Sequence, residues 1–184
     1  MSHLRLNLGS GNEPLADWVN VDQRSVPQVD VIADVRSLPF PDSSASQILA
    51  SSLLEHFDDP YQVLDEIHRV LRADGHFTMR VPCPWAQSGL LDKTHVFLAD
   101  LKLWRQILGG YFETVRVVPE GVRYRDNRLL TAILYLAIRG FRMHEYAQTW
   151  RFECSGRRRS RSIAYTPWWL EERYAGGARE QGRS

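Results

Sequence analysis

Leu4, Leu6 and Leu8 alternate with polar residues and run straight into Gly9-Ser10-Gly11. Period-two alternation marks a strand, and the glycines mark a sharp turn at its end. Only 11 positions separate Gly11 from Asp22, the last residue of a second strand-like segment, Trp18-Val19-Asn20-Val21-Asp22. Barely one helical turn fits in that gap, so the first crossover of any parallel sheet built here is unusually short. Val29 to Asp34 reads as a third strand ending on a carboxylate, and Gln47 to Ser52 as a fourth.

A helix follows. Asp59 suits the N-cap, Pro60 the first helical position and Gln62 the capping-box partner. Val63, Leu64, Ile67, Val70 and Leu71 recur at helical spacing, and Asp74-Gly75 is the expected stop. Phe77, Met79 and Val81 predict a fifth strand, and Leu98 to Leu108 a second helix closed by Gly109-Gly110. Phe112 to Val118 predicts a sixth strand, Arg128 to Gly140 a helix apolar nearly all round, and Thr149 to Cys154 a last strand. Strands alternating with helices predict an α/β fold, a doubly wound, mostly parallel sheet covered on both faces in three α/β/α layers.

With 184 residues, the chain is long enough for one domain with its own core. Its two cysteines, Cys83 and Cys154, have no metal-ligand spacing around them and read as free thiols, with no metal expected. The first strand begins so early that a signal peptide is not expected, and the apolar run Leu129 to Ile138 is too short to span a bilayer. A cytoplasmic protein is the resulting expectation. Charge is uneven: residues 1–120 carry a net −6 and residues 121–184 a net +7, for a total of +1.

In open α/β sheets a ligand sits outside the carboxyl ends of the strands. Gly9 and Gly11 let the backbone come close to such a ligand. A carboxylate at Asp22 can accept both hydroxyl protons of a ribose, and one at Asp34 can accept from an exocyclic amine such as that of adenine. Dinucleotide sites need G-x-G-x-x-G opening a full helix that faces a pyrophosphate. Here the pattern is Gly9-Ser10-Gly11-Asn12-Glu13-Pro14, with no third glycine at that spacing. An NAD-dependent oxidoreductase is therefore disfavoured, and a nucleoside without phosphates fits better.

Five segments in order carry a family resemblance. Leu6 to Gly11 and Trp18 to Asp22 resemble the first two motifs of class I S-adenosylmethionine-dependent methyltransferases. Asp34-Val35-Arg36-Ser37-Leu38-Pro39-Phe40 resembles the element after strand three, and Ala50 to Phe57, with Leu54-Glu55-His56, the element at strand four. Arg69 to His76 resembles the turn into strand five. The resemblance is closest to the methyltransferase type 11 group, to its short members with an abbreviated first helix, and covers roughly residues 4–118.

The resemblance implies a Rossmann-like class I methyltransferase fold with a seven-stranded mixed sheet and an antiparallel last strand. It implies one domain over residues 1–174: a cofactor-binding core at 1–118, a variable C-terminal part at 119–174 for acceptor or oligomer contacts, and a disordered tail at 175–184. The cofactor would be S-adenosylmethionine and its product S-adenosylhomocysteine. Gly9, Ser10 and Gly11 would cradle its methionine part, with Asn7 standing where the motif usually has an acidic residue. Asp22 would hold the ribose with Gln23 beside it, Asp34 and Val35 would meet the adenine, and Ser51, Ser52 and His56 would lie near the sulfonium. Asp74-Gly75-His76 replaces the usual proline and double glycine, and the N-terminal lid helices are missing.

Methyl transfer to an O or N atom of a small molecule or glycan precursor needs an aligned nucleophile and, in some cases, a base. His95 is the first choice for that base, followed by His56 and Asp92, because histidine titrates near neutral pH. A non-catalytic protein that binds S-adenosylmethionine or S-adenosylhomocysteine, or a scaffold, using its arginine-rich C-terminal part to bind a partner, is the alternative. Arg157, Arg158, Arg159 and Arg161 lie in an expected solvated loop at 156–162; the cluster is short and lacks interleaved aromatics, so a nucleic-acid partner is disfavoured. The apolar Leu129 to Ile138 segment reads as core or homodimer contact, with peripheral membrane contact as the minority reading.

Overall fold

The computed structural model describes residues 4–84, 86, 92–121, 132–133, 136–137 and 147–158. The strands are β1 (Leu4–Leu8), β2 (Val19–Asp22), β3 (Val31–Ile32), β4 (Ala45–Ser51), β5 (Leu71–Pro82), β6 (Phe112–Glu120) and β7 (Thr149–Arg157). Between β4 and β5 lie a 3₁₀ turn (Leu54–His56) and α1 (Pro60–Val70); α2 (Leu101–Tyr111) leads into β6. One seven-stranded sheet results, in the order β3-β2-β1-β4-β5-β7-β6. β7 runs antiparallel to both β5 and β6, and the other pairs are parallel. The seven-stranded mixed sheet with one antiparallel strand expected from the sequence is the one observed; of the three layers expected, the described α-helices α1 and α2 supply one.

The register sorts the side chains by face, because directly paired residues point the same way. Leu6 pairs with Val19 and Ile48, Leu8 with Val21 and Ala50, and then Ile48 with Phe77, Ala50 with Met79, Phe77 with Cys154 and Met79 with Phe152. All of these except the partly buried Val19 are fully or almost fully buried and form the core. α1 and α2 share a side of the sheet, joined by the Tyr111 hydroxyl donating to Asp65 at 2.8 Å and by a His68–Tyr111 ring contact.

The opposite face is mostly polar, with Leu49 and Val118 set among charged and polar side chains. There Asn7 pairs with Asn20, Thr78 with Glu153, Arg80 with Arg151 and Arg116 with Glu153. Ion pairs run along this face from Arg80 and Arg151 to Glu120, and from Arg116 and Arg151 to Glu153. A face built of such side chains is suited to water or a polar covering, not to a second apolar helix layer. Among the described residues no α-helix precedes β4, in keeping with the short β1–β2 gap.

Several boundaries differ from the sequence reading, each because a tertiary contact outweighs a local signal. α1 begins as expected, with the Asp59 side chain accepting from the Tyr61 amide, but it ends at Val70 and not at Asp74-Gly75. Leu71 is extended because it is buried and pairs with Ala45; residues 72–75 form the irregular stretch before His76 rejoins Gln47. Strand three shrinks to two residues, and both its flanks stay fastened to β2: the Asp30 carboxylate accepts from the Asn20 amide, and the Ala33 amide donates to the Asp22 carbonyl. α2 starts at Leu101, where Asp100 caps the Leu103 amide, and runs through Gly109 and Gly110 to Tyr111, which its hydroxyl bond holds in the core.

The expected solvated loop at 156–162 is partly a structured element. Gly156 and Arg157 belong to β7, the Arg157 guanidinium donates to the His68 carbonyl at 2.7 Å, and Arg158 donates to the Gly109 carbonyl at 3.0 Å. Both arginines thus cap helix C-terminal carbonyls. Of the helix expected over Arg128–Gly140, Ala132, Ile133, Leu136 and Ala137 are helical. Ile133 and Leu136 are exposed, so those two side chains are not core. The rest of that segment, Trp85, Arg159, Arg161 and the tail lie outside the described residues.

Gly109 is held in a helix with nothing within 4 Å of where a methyl group would stand. Gly109→Ala is expected to stabilise the protein by about 0.5–1 kcal/mol by restricting the unfolded chain, read as a raised urea midpoint at unchanged slope.

Candidate cofactor and acceptor site

At the carboxyl ends of β1, β2 and β4 a cleft of about 230 Å³ is lined by Gly9, Asp22, Gln23, Arg24, Ala33, Asp34, Val35, Ser52, Leu53, His56 and Phe57. Its framework is set where the chain leaves β1. The Gly9 and Ser10 amides both donate to the Val21 carbonyl, at 2.8 and 3.1 Å, and the Gly11 amide donates to Asp22 Oδ2 at 2.8 Å. This needs left-handed backbone at Gly9, where a methyl group would stand 2.7 Å from Leu53 Cδ1. The glycine turn thus spends its amides on β2 and orients Asp22.

Asp22 is 6 % exposed. Burial alone would raise its pKa, but bonds from the Arg24 amide and guanidinium and from the Gly11 amide outweigh that and hold it below the usual range. Asp34 is also held low, first by the Arg36 guanidinium, which grips both its oxygens at 2.7–3.1 Å, and then by the Arg36 amide. Each carboxylate is therefore ionised and preset to accept hydrogen bonds. Each also carries an arginine two residues on that must share it with a ligand.

The structure brings Gly9, Asp22, Gln23, Asp34, Val35, Ser52 and His56 together on the cleft wall. Ser52 does so in left-handed backbone, pinned by its amide donating to the Arg80 carbonyl at 3.0 Å. Gly11 lies one bond behind, on Asp22. Asn7, Ser10 and Ser51 are not on the cleft wall. Asn7 is buried and donates to Asn20 and to the Glu13 carbonyl, bracing the β1–β2 connection. Arg24, Leu53 and Phe57 were not singled out from the sequence; Arg24 and Arg36 share an Asp-x-Arg spacing that signals them.

Behind His56 the chain folds back. The Glu55 carbonyl accepts the Val96 and Phe97 amides at 2.9 and 3.0 Å, which fastens segment 92–97 against the 3₁₀ turn. Thr94 then meets His56: its carbonyl and hydroxyl lie 3.2 and 3.1 Å from Nδ1. A carbonyl only accepts, so Nδ1 carries the proton there and Nε2 the lone pair. His56 is exposed on the cleft, whereas the His95 side chain is 6 % exposed, with its ring centre 5.0 Å from that of His56. Asp92 Oδ2 is 3.6 Å from His95 Nε2, and the Thr94 hydroxyl and amide hold the Asp92 carboxyl low. His95, His56 and Asp92 therefore do converge, but it is His56 that faces the cleft.

Glu55, missed in the sequence reading, is fully buried with neither carboxylate oxygen hydrogen-bonded. Burial pushes its pKa up to about 7; the nearby Glu55 and Leu53 amides, which lie outside hydrogen-bond geometry, offset this in part and the Asp92 charge adds to it. No spacing rule identifies such a residue, since its character comes from burial.

Residues 10–79 match the family model described as a methyltransferase domain. A SAM-dependent methyltransferase of Thermotoga maritima superposes with a TM-score of 0.60 at 13% identity, covering 85% of this chain and 83% of that one. One from Archaeoglobus fulgidus gives 0.57 at 14% identity, covering 85% and 86%. Phosphoethanolamine N-methyltransferase 2 of Haemonchus contortus, solved with S-adenosyl-L-methionine, gives 0.56 at 11% identity, covering 86% of this chain and 49% of that one. Among curated proteins, a mitochondrial arginine-hydroxylase of Rattus norvegicus, NDUFAF5, is 34% identical over 58 residues, 32% of this chain and 17% of the relative. The fold is that of the class I S-adenosylmethionine-dependent methyltransferases.

The residues present fit that class's cofactor. A ribose diol and an adenine amine donate hydrogen bonds, and the cleft offers two ionised acceptors in Asp22 and Asp34. The same two charges would repel a pyrophosphate.

Because its native pKa is raised above the unfolded value near 4.5, Glu55 binds a proton on folding between pH 4.5 and about 7. Its contribution is therefore retained below pH 4.5 and stability falls as pH rises through that window, by about 3 kcal/mol in all. Urea unfolding in metal-free buffer at pH 5 and pH 8 is expected to show this loss in the wild type relative to Glu55→Gln, whose amide does not titrate.

Proposed function

We propose that this chain transfers a methyl group from S-adenosylmethionine to an oxygen or nitrogen of a small molecule or glycan precursor. The observation that carries the reading is the convergence of Gly9, Asp22, Asp34, Ser52 and His56 on one cleft at the strand ends. When bound, the cofactor supplies a methyl group on a sulfonium, which reacts by in-line displacement. The protein's share is to hold cofactor and acceptor in line and to accept a proton where the acceptor must lose one.

Asp22 holds the ribose end by displacing or sharing the Arg24 guanidinium, whose side chain is about half exposed and free to swing. Asp34, with Val35 beside it, serves the adenine end. His56 stands at the other end of the cleft with Nε2 as proton acceptor, its ring fixed by Thr94 and backed by His95. Asp92 acts on that pair through its charge.

The second reading, a scaffold that binds the cofactor or its product without turnover, draws support from the arginines already seated on Asp22 and Asp34. Partners remain in the same terms: the C-terminal part supplies an acceptor or a homodimer contact, and exposed Ile133 and Leu136 favour a contact of that kind over a core role. Among the described residues no helix is long and apolar enough to cross a membrane.

Calorimetric titration with S-adenosylhomocysteine is expected to show one site, weakened about 10- to 100-fold by Asp22→Ala through loss of charge-assisted hydrogen bonds worth about 1.5–3 kcal/mol. No binding to the folded wild type overturns both readings. In methyl-transfer assays, His56→Ala is expected to cost about 10²- to 10⁴-fold in kcat and His95→Ala less; binding without any turnover selects the scaffold reading.

A further inference from the structure

Glu55, His56 and His95 each offer one donor atom, all within 4.8 Å of one another. Two imidazoles and one carboxylate are a ligand set for divalent first-row transition metals, leaving coordination positions open. Around a bound ion with ligand bonds of about 2.0–2.2 Å, donor atoms stand about 3–4 Å apart, so a contraction of at most about 1–2 Å closes the site. The sequence offers no metal motif here, because the two histidines come from separate segments that meet only when the Glu55 carbonyl binds the Val96 and Phe97 amides.

A second, independent observation points to a ligand. Both Glu55 oxygens are buried without a hydrogen bond, in a residue 1 % exposed, and they stand beside two imidazoles. A buried carboxylate is normally paired or bound to a metal. The surroundings are also those of a metal centre: Asp92 lies 3.6 Å from His95 Nε2, and Thr94 binds both Asp92 and His56. Outer groups of this kind orient metal-bound imidazoles.

We infer that Glu55, His56 and His95 bind one divalent transition-metal ion at the mouth of the cofactor cleft, and that its open position takes an oxygen of the methyl acceptor. The metal site stands on the cluster alone; its use for the acceptor rests on the methyl-transfer reading. His56 lines the cleft, so the ion faces the space where the acceptor must lie. With the ion in place His56 is a ligand, and the ion lowers the acceptor's pKa as a Lewis acid, so that the hydroxyl proton passes to solvent water; the metal-bound oxygen then takes the methyl group as the sulfonium–carbon bond breaks and S-adenosylhomocysteine leaves. The acceptor class this favours is an oxygen ligand, a hydroxyl or phenol, over an amine.

The test is titration of the metal-free full chain with Co(II), followed by visible d–d absorption and by the imidazole NMR signals of its six histidines. The expected result is one Co(II) per chain in the micromolar range, with the His56 and His95 signals shifted first and farthest. Glu55→Gln is expected to weaken Co(II) binding at least 10-fold. Absence of a band in the wild type, or shifts centred on other histidines, overturns the inference. S-adenosylhomocysteine titration of the same metal-free protein reports separately on the cofactor reading, so either can fail alone.

Discussion

The carbonyl of Val21 accepts two amides, from Gly9 and Ser10, where the chain leaves β1, and the site depends on that junction. With it, the end of β2 is locked against the glycine turn, and Gly11 can reach Asp22. The turn is possible only because Gly9 adopts left-handed backbone and has no Cβ to push Leu53 off the cleft wall. The short β1–β2 connection is then braced from below by Asn7 and Asn20, which bond to each other and to the intervening backbone. An acid at position 7 would have no amide to donate to the Asn20 carbonyl oxygen, so Asn7 suits this brace.

Among the described residues the core lies on one side of the sheet, in keeping with the same economy of length. The register places most of the large apolar side chains on the face under α1 and α2, and Arg, Glu, Thr and Asn, with Leu49 and Val118 among them, on the other. Alternation of this kind belongs to a sheet with one polar face, and it is written into β5 and β7 residue by residue. The family resemblance by itself suggests helices on both faces; the side-chain chemistry of these strands restricts what can cover the second.

Function is concentrated where two unrelated requirements meet at the end of β4. The 3₁₀ turn carries His56 to the cleft and sends Glu55 inward, while the Glu55 carbonyl anchors segment 92–97 and so delivers His95 and Asp92 to the same place. A buried carboxylate without a hydrogen bond costs stability at neutral pH. At the proposed metal site, an ion held between that carboxylate and the two imidazoles would offset the cost.

The sequence by itself determined the order of elements, the apolar faces of α1 and of the central strands, and the pairing of a glycine turn with carboxylates at strand ends. Those are local: period, cap residues and backbone conformation are properties of a few neighbouring residues. The tertiary structure decided what neighbours cannot encode. Burial of Tyr111 carried α2 past two glycines, and pairing of Leu71 with Ala45 ended α1 early. It turned Arg157 and Arg158 from an expected loop into helix caps. It also set Glu55 in a place without water and put His95 behind His56, because burial and proximity depend on segments distant along the chain coming together.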